Sequence, residues 1–154
     1  MAAESRPKTE ECICLAVRQA ARHVTQAYDH FLAPAGLRTT QFSILAKLQR
    51  LGPLGINALA AEMVMDRTTL GRNILPLERE GLIEIAKGRH DRRSKELRLS
   101  EAGRAKLRHA SAGWAEAQAR FEAAFGPTRS LELRGILQAV STTELAAANS
   151  ANER

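Results

Sequence analysis

Between Asp66 and Gly103 the chain reads DRTTLGRNILPLEREGLIEIAKGRHDRRSKELRLSEAG, and the order of signals in this stretch leaves little choice of local fold. Asp66 is placed to accept from the free N–H groups of an opening helical turn. Apolar residues return at Leu70, Ile74 and Leu77, which is the spacing of one helical face. Gly81-Leu82 ends that period, and Leu82, Ile83 and Ile85 read as a short strand. Leu97 and Leu99 then alternate with Glu96 and Arg98 as a second strand, and Ser100 can cap the helix that follows. The predicted unit is a helix, a β-hairpin with a charged tip, and a second helix.

The hairpin is where the charge lies. From Lys87 to Arg108 there are nine Lys or Arg against Asp91, Glu96 and Glu101, a surplus equal to the net +6 of the whole chain. A uniformly solvated surface explains such clustering poorly. A basic hairpin tip suits phosphate contact and insertion of an Arg into a minor groove. On the preceding helix Arg67, Thr68, Arg72, Asn73 and Arg79 fall mostly off the apolar face. Hydroxyls and an Arg in the first two turns reach base edges when a helix enters the major groove by its N-terminus.

The sequence here resembles the MarR (multiple antibiotic resistance regulator) family of winged helix-turn-helix transcription regulators. The likeness is carried by Asp66-Arg67-Thr68-Thr69-Leu70, by Leu77-Glu78-Arg79-Glu80-Gly81-Leu82, by Asp91-Arg92-Arg93 and by the Leu97–Gly103 run. It implies a mainly α fold with a small β-hairpin wing, acting as a homodimer on double-stranded DNA and often released by a small-molecule effector or by oxidation. Transferred residue by residue, it points to Thr68, Thr69 and Arg72 at base edges, with Arg67 and Asn73 beside them. Arg93 is expected in the minor groove, oriented by Asp91 through a charge-assisted hydrogen bond, with Arg89 and Arg92 on phosphates. Two residues depart from the common pattern. Gly71 stands where many members carry Ser or Thr, and Pro76 lies inside the helix, where it removes an N–H and should bend the turn.

The remaining chain supplies helices. A single apolar stripe from about Glu10 to Leu32 runs through Ile13, Val17, Ala20, Val24, Tyr28 and Phe31. Pro34 and Gly36 end it, Thr39 or Thr40 can cap a second helix that closes near Gly52-Pro53, and Ile56 to Met63 makes a third. After the wing, a helix reaching Phe125 would be about 37 Å long. Its stripe is Leu107, Ala110, Trp114, Ala117 and Phe121, and a last helix carries Leu133, Leu137 and Val140. The expected organisation is one domain over 1–154, with dimerisation helices at 10–33 and 101–148 and a winged helix-turn-helix lobe at 39–100. The long helices leave apolar faces that a two-fold partner would cover. Residues 1–9 read as a tail.

Other chemistry has weaker support. The four histidines show no metal-ligand spacing, and no metal or cofactor is expected. Arg22 and His23 lie beside the first stripe, where the resemblance places an effector pocket. Cys12 and Cys14 read as free cysteines packing as small hydrophobes, since two helical residues at that spacing point apart; a redox-responsive repressor acting through them is the alternative. An architectural DNA-binding protein without an effector also stays open. There is no glycine-rich phosphate loop, nucleophile elbow or paired carboxylate of an enzyme. No apolar run long enough to span a membrane and no secretory leader are seen, so the cytoplasm is expected.

Overall fold

The computed structural model describes residues 8–145. Residues 1–7 of the expected tail and 146–148 of the expected last helix lie outside them. Six helices and three short strands follow in the order α1 (Ile13–Leu32), α2 (Thr39–Leu51), β1 (Leu54–Gly55), α3 (Ile56–Met63), α4 (Arg67–Arg79), β2 (Ile83–Lys87), β3 (Lys95–Leu99), α5 (Glu101–Phe125) and α6 (Pro127–Thr142). The chain divides into two compact units, one up to Ala117 and one from Gln118, so the boundary falls within α5.

In the first unit the core is aliphatic. Leu32, Ile44, Leu45, Leu59, Leu70, Leu77 and Ile83 are fully buried. Leu70, Ile74 and Leu77 are the apolar face read from the sequence, and they put α4 onto this core. The sheet has the order β1-β3-β2, antiparallel throughout, with Ile83 opposite Leu99 and Ile85 opposite Leu97. Along β3 Leu97 and Leu99 are buried while Glu96 and Arg98 are half-buried, the alternation a one-sided strand requires. The hairpin gains a third strand that the sequence reading lacked: Leu54 and Gly55 pair with Leu97 and Glu96. Two residues are too few for alternation to register.

Several boundaries differ from expectation, each for a local reason. The first helix does not begin at Glu10. Residues Thr9–Glu11 form a 3-10 turn, and Cys12 is the N-cap, its Sγ accepting from the Leu15 N–H at 3.4 Å. At the other end a 3-10 turn, Ala33–Ala35, carries Pro34, and Gly36 takes a left-handed φ of 70°. Neither Thr39 nor Thr40 is the N-cap of α2, which is Arg38. The capping is shared between Gln41, whose Oε1 accepts from the Arg38 N–H at 3.0 Å, and α1. Asp29 Oδ1 accepts from the Thr39 N–H at 2.6 Å and the Thr39 hydroxyl at 2.7 Å, satisfying an orphan donor of the first turn. Pro76 does not interrupt α4, which is helical on both sides of it and goes on to donate from Glu80 N to the Pro76 carbonyl.

Ser100 behaves as read. Its hydroxyl accepts from the Gly103 N–H at 2.9 Å and donates to the Gly81 carbonyl at 2.6 Å, tying the start of α5 to the end of α4. In the second unit Gly126 (φ 99°) breaks the helix and Pro127 opens α6. Phe121 stacks on Phe125, whose ring also carries the Arg129 guanidinium at 4.3 Å. The last helix ends at Thr142, short of the expected 148.

Candidate nucleic-acid interface

Helix α3, a tight turn and α4 form the helix-turn-helix. The turn is made by Val64, which leaves α3 in a left-handed conformation with φ 51°. Asp66 then caps α4. Its Oδ1 accepts from the Thr69 N–H at 2.8 Å and its Oδ2 from the Thr69 hydroxyl at 2.6 Å. The Thr69 hydroxyl, followed by the backbone N–H groups, holds the Asp66 carboxyl below the usual Asp range. The cap is therefore present above the ordinary Asp pKa and is lost as the pH falls through the lowered value.

Of the residues read as base-contacting, Arg67, Thr68, Thr69 and Arg72 are exposed and Asn73 is half-buried. Their freedom differs. Thr69 has its hydroxyl proton committed to Asp66, and the Asn73 amide donates to the Thr69 carbonyl at 2.9 Å. Among the described residues, no ion pair engages Arg67, Arg72, Arg89, Arg92 or Arg93. Uncommitted guanidinium groups on a recognition helix and at a hairpin tip are free to meet phosphates or base edges.

The wing tip is built by Asp91. Its carbonyl accepts from the Ser94 N–H at 3.0 Å and the Ser94 hydroxyl at 2.7 Å, and its Oδ1 accepts from the Arg93 N–H at 2.9 Å. The charge-assisted bond expected between Asp91 and Arg93 thus goes to the backbone and not to the guanidinium. Asp91 sets the turn and leaves the Arg93 side chain unpaired. Gly88 closes the tip, donating to the Ser94 carbonyl at 2.9 Å. Arg89, His90, Asp91, Arg92 and Arg93 are all exposed.

A groove opens beside α2. Phe42 and Trp114 stack with centroids 6.1 Å apart and planes 13° from parallel. Two adjoining cavities of about 440 and 520 Å³ share Phe42, Ala46, Arg50 and Trp114. Tyr28, Thr39, Ser43 and Lys47 complete one, and Gln49, Leu107, Arg108 and Ser111 the other. Trp114, a member of the apolar stripe of α5, lines this groove with its ring and is 41% exposed in the single chain. Arg22 and His23 are exposed on α1 and line neither cavity, because the groove starts further along α1, at Tyr28. Cys12 and Cys14 are free, and both are exposed in the single chain. The geometric objection to their pairing weakens, since Cys12 is extended (φ −79°, ψ 108°) and not helical.

A family model for the MarR family matches residues 37–95. The crystal structure of the Mycobacterium tuberculosis transcriptional regulator MosR is 36% identical, covers 87% of this chain and 98% of its own, and has a TM-score of 0.73. The chain belongs to the MarR family. MosR in complex with DNA is 38% identical, over 88% of this chain and all of that one, with a TM-score of 0.74. The transcriptional repressor CouR bound to a 23-mer DNA duplex is 26% identical over 90% of this chain and 99% of its own, with a TM-score of 0.78. The HTH-type transcriptional regulator SarZ of Staphylococcus haemolyticus is 22% identical over 91 residues, 59% of this chain. That match spans 62% of SarZ. This MarR-family chain is a DNA-binding transcription regulator of mainly helical, winged fold. No helix among its described residues is long and apolar enough to cross a membrane. No group of three or more His, Cys, Asp or Glu among them could hold a metal ion.

Proposed function

We propose that this MarR-family regulator is a cytoplasmic homodimeric repressor that reads a short palindrome and is released by a small planar anion. The observation that carries the DNA reading is the set of unpaired guanidinium groups on α4 and the wing, in a chain 38% identical to a regulator solved with DNA. Thr68 and Arg72 meet base edges, with Thr69, Arg67 and Asn73 flanking them; Arg93 enters the minor groove, and Arg89 and Arg92 hold phosphates. Within one domain over 1–154, residues 39–100 are the DNA-binding lobe, and α1 with α5 and α6 make the dimer. Ile13 is 76% exposed on α1 and Ile136 is 61% exposed on α6, apolar surface that a second copy would cover. The effector groove is the one under Phe42 and Trp114, where stacked rings receive a flat ligand and Arg50 or Arg108 a negative charge.

Selection from random duplexes followed by footprinting tests this. A palindromic site holding two chains is expected; unselective coating of DNA would establish the architectural alternative instead. Trp114 is the chain's only tryptophan, so benzoate binding should quench its fluorescence and lower operator affinity together. Quenching without release would remove the groove as the effector site.

A second reading is favoured by the exposed, non-helical Cys12 two residues from Cys14. Hydrogen peroxide would oxidise the two thiols to a disulfide and be reduced to two waters, with the first turn of α1 unwinding to bring the sulfurs together. On this reading, micromolar peroxide releases the wild type and leaves the Cys12→Ser, Cys14→Ser double variant bound. Equal behaviour of the two proteins rules it out.

A further inference from the structure

The outward strip of α4 holds a glycine that the fold itself does not require. Thr68, Gly71, Arg72 and Leu75 are spaced as neighbours on one helical face, away from buried Leu70, Ile74 and Leu77. Gly71 is not among the glycines with a positive φ, and a Cβ added there meets nothing within 4 Å. A glycine in a helix interior is destabilising relative to alanine. Two other helical glycines have a packing reason: at Gly103 a Cβ would strike the Leu82 carbonyl, and at Gly113 the Phe31 carbonyl, whereas Gly135 in α6, like Gly71, meets nothing within 4 Å. Gly71 has no such neighbour within the chain. One turn on, Leu75 is 48% exposed, an apolar side chain on the face that otherwise presents Thr68 and Arg72.

We infer that Gly71 and Leu75 form an apolar notch that seats the C5-methyl of a thymine in the major groove. The missing Cβ lets the helix backbone approach a base edge, and the walls are the Thr68 γ-methyl and the Leu75 side chain. The thymine methyl is the apolar group that base edges offer in that groove. Arg72, on the same strip, is then placed to bond the neighbouring base. The inference rests on the reading that α4 enters the major groove.

The test uses the duplex selected by the full-length protein, with thymines replaced one at a time by deoxyuridine, which removes only the methyl. One thymine per half-site should lose about fourfold in affinity, the value of one buried methyl-sized group. Leu75→Ala should bind more weakly and become indifferent to that replacement. Gly71→Ala should have opposite effects on folding and binding. Its melting midpoint should rise by roughly 2–4 °C, while its operator affinity falls about tenfold as the new methyl occupies the notch. The inference is overturned if no deoxyuridine position weakens the wild type, or if Gly71→Ala binds as tightly as the wild type. A selected operator without thymine in the half-sites would overturn it as well. Failure of the underlying reading looks different: the wild type would then show no preference for the selected duplex over scrambled DNA.

Discussion

Gly103→Ala is expected to destabilise the first unit by about 2–3 kcal/mol, the upper part of the usual cost of overpacking. Intrinsic propensity predicts the opposite sign, since alanine is favoured over glycine in a helix by about 1 kcal/mol. Close approach decides the outcome. Gly103 is buried in the first turn of α5, and a Cβ there would fall on the Leu82 carbonyl oxygen and 2.6 Å from the Leu99 Cδ1. That carbonyl cannot yield cheaply, because it accepts from the Ser100 N–H at 3.1 Å. Ser100 in turn bonds the Gly81 carbonyl and the Gly103 N–H. Moving Leu82 therefore strains the joint between α4, β2 and α5 and tilts the root of the wing. Urea denaturation should show a lower midpoint with an unchanged slope, and operator affinity should fall with it. Wild-type stability in the variant would mean that α5 does not lie against Leu82 as described.

What could be read from the sequence divides according to the range of the interaction. Asp66, Ser100 and the Leu70, Ile74, Leu77 face were legible because caps and helical faces are decided within a turn or two. The alternation at Leu97 and Leu99 was legible for the same reason. Contacts between distant segments were not. Asp29 reaching Thr39, Leu54 pairing with Leu97 and Phe42 stacking on Trp114 leave no periodic trace. Trp114 shows the consequence. Its spacing matched an apolar stripe, and packing turned its ring toward α2, where it stacks on Phe42 and lines a groove. At the wing tip the sequence pointed to a bond from Asp91 to the Arg93 guanidinium, whereas Asp91 Oδ1 accepts from the Arg93 backbone N–H, a choice set by turn geometry that spacing does not encode.

The largest binding effect expected is that of Arg72→Ala, about 1–3 kcal/mol in each half-site if its guanidinium forks onto a base edge. The loss should be confined to the operator, with relaxed preference at one base pair per half. Arg92 on the wing provides the contrast. Arg92→Ala should weaken binding to operator and scrambled DNA alike and reduce the salt slope by about one per lost phosphate contact, or two for a dimer. Both side chains are exposed and unpaired, so neither substitution should change the melting midpoint. Pro76 sharpens the question for Arg72, because the proline offers no N–H to the Arg72 carbonyl one turn back. A small opening of that turn would swing the side chain toward the backbone. Titrations of both variants on both DNAs at several salt concentrations distinguish the outcomes. If Arg72→Ala loses equal affinity on each DNA, Arg72 is a phosphate contact and base reading passes to its neighbours. Thr69 would be the weaker of these, since its hydroxyl proton is committed to Asp66. The Thr68 hydroxyl, with the apolar notch beside it, would then carry the sequence preference.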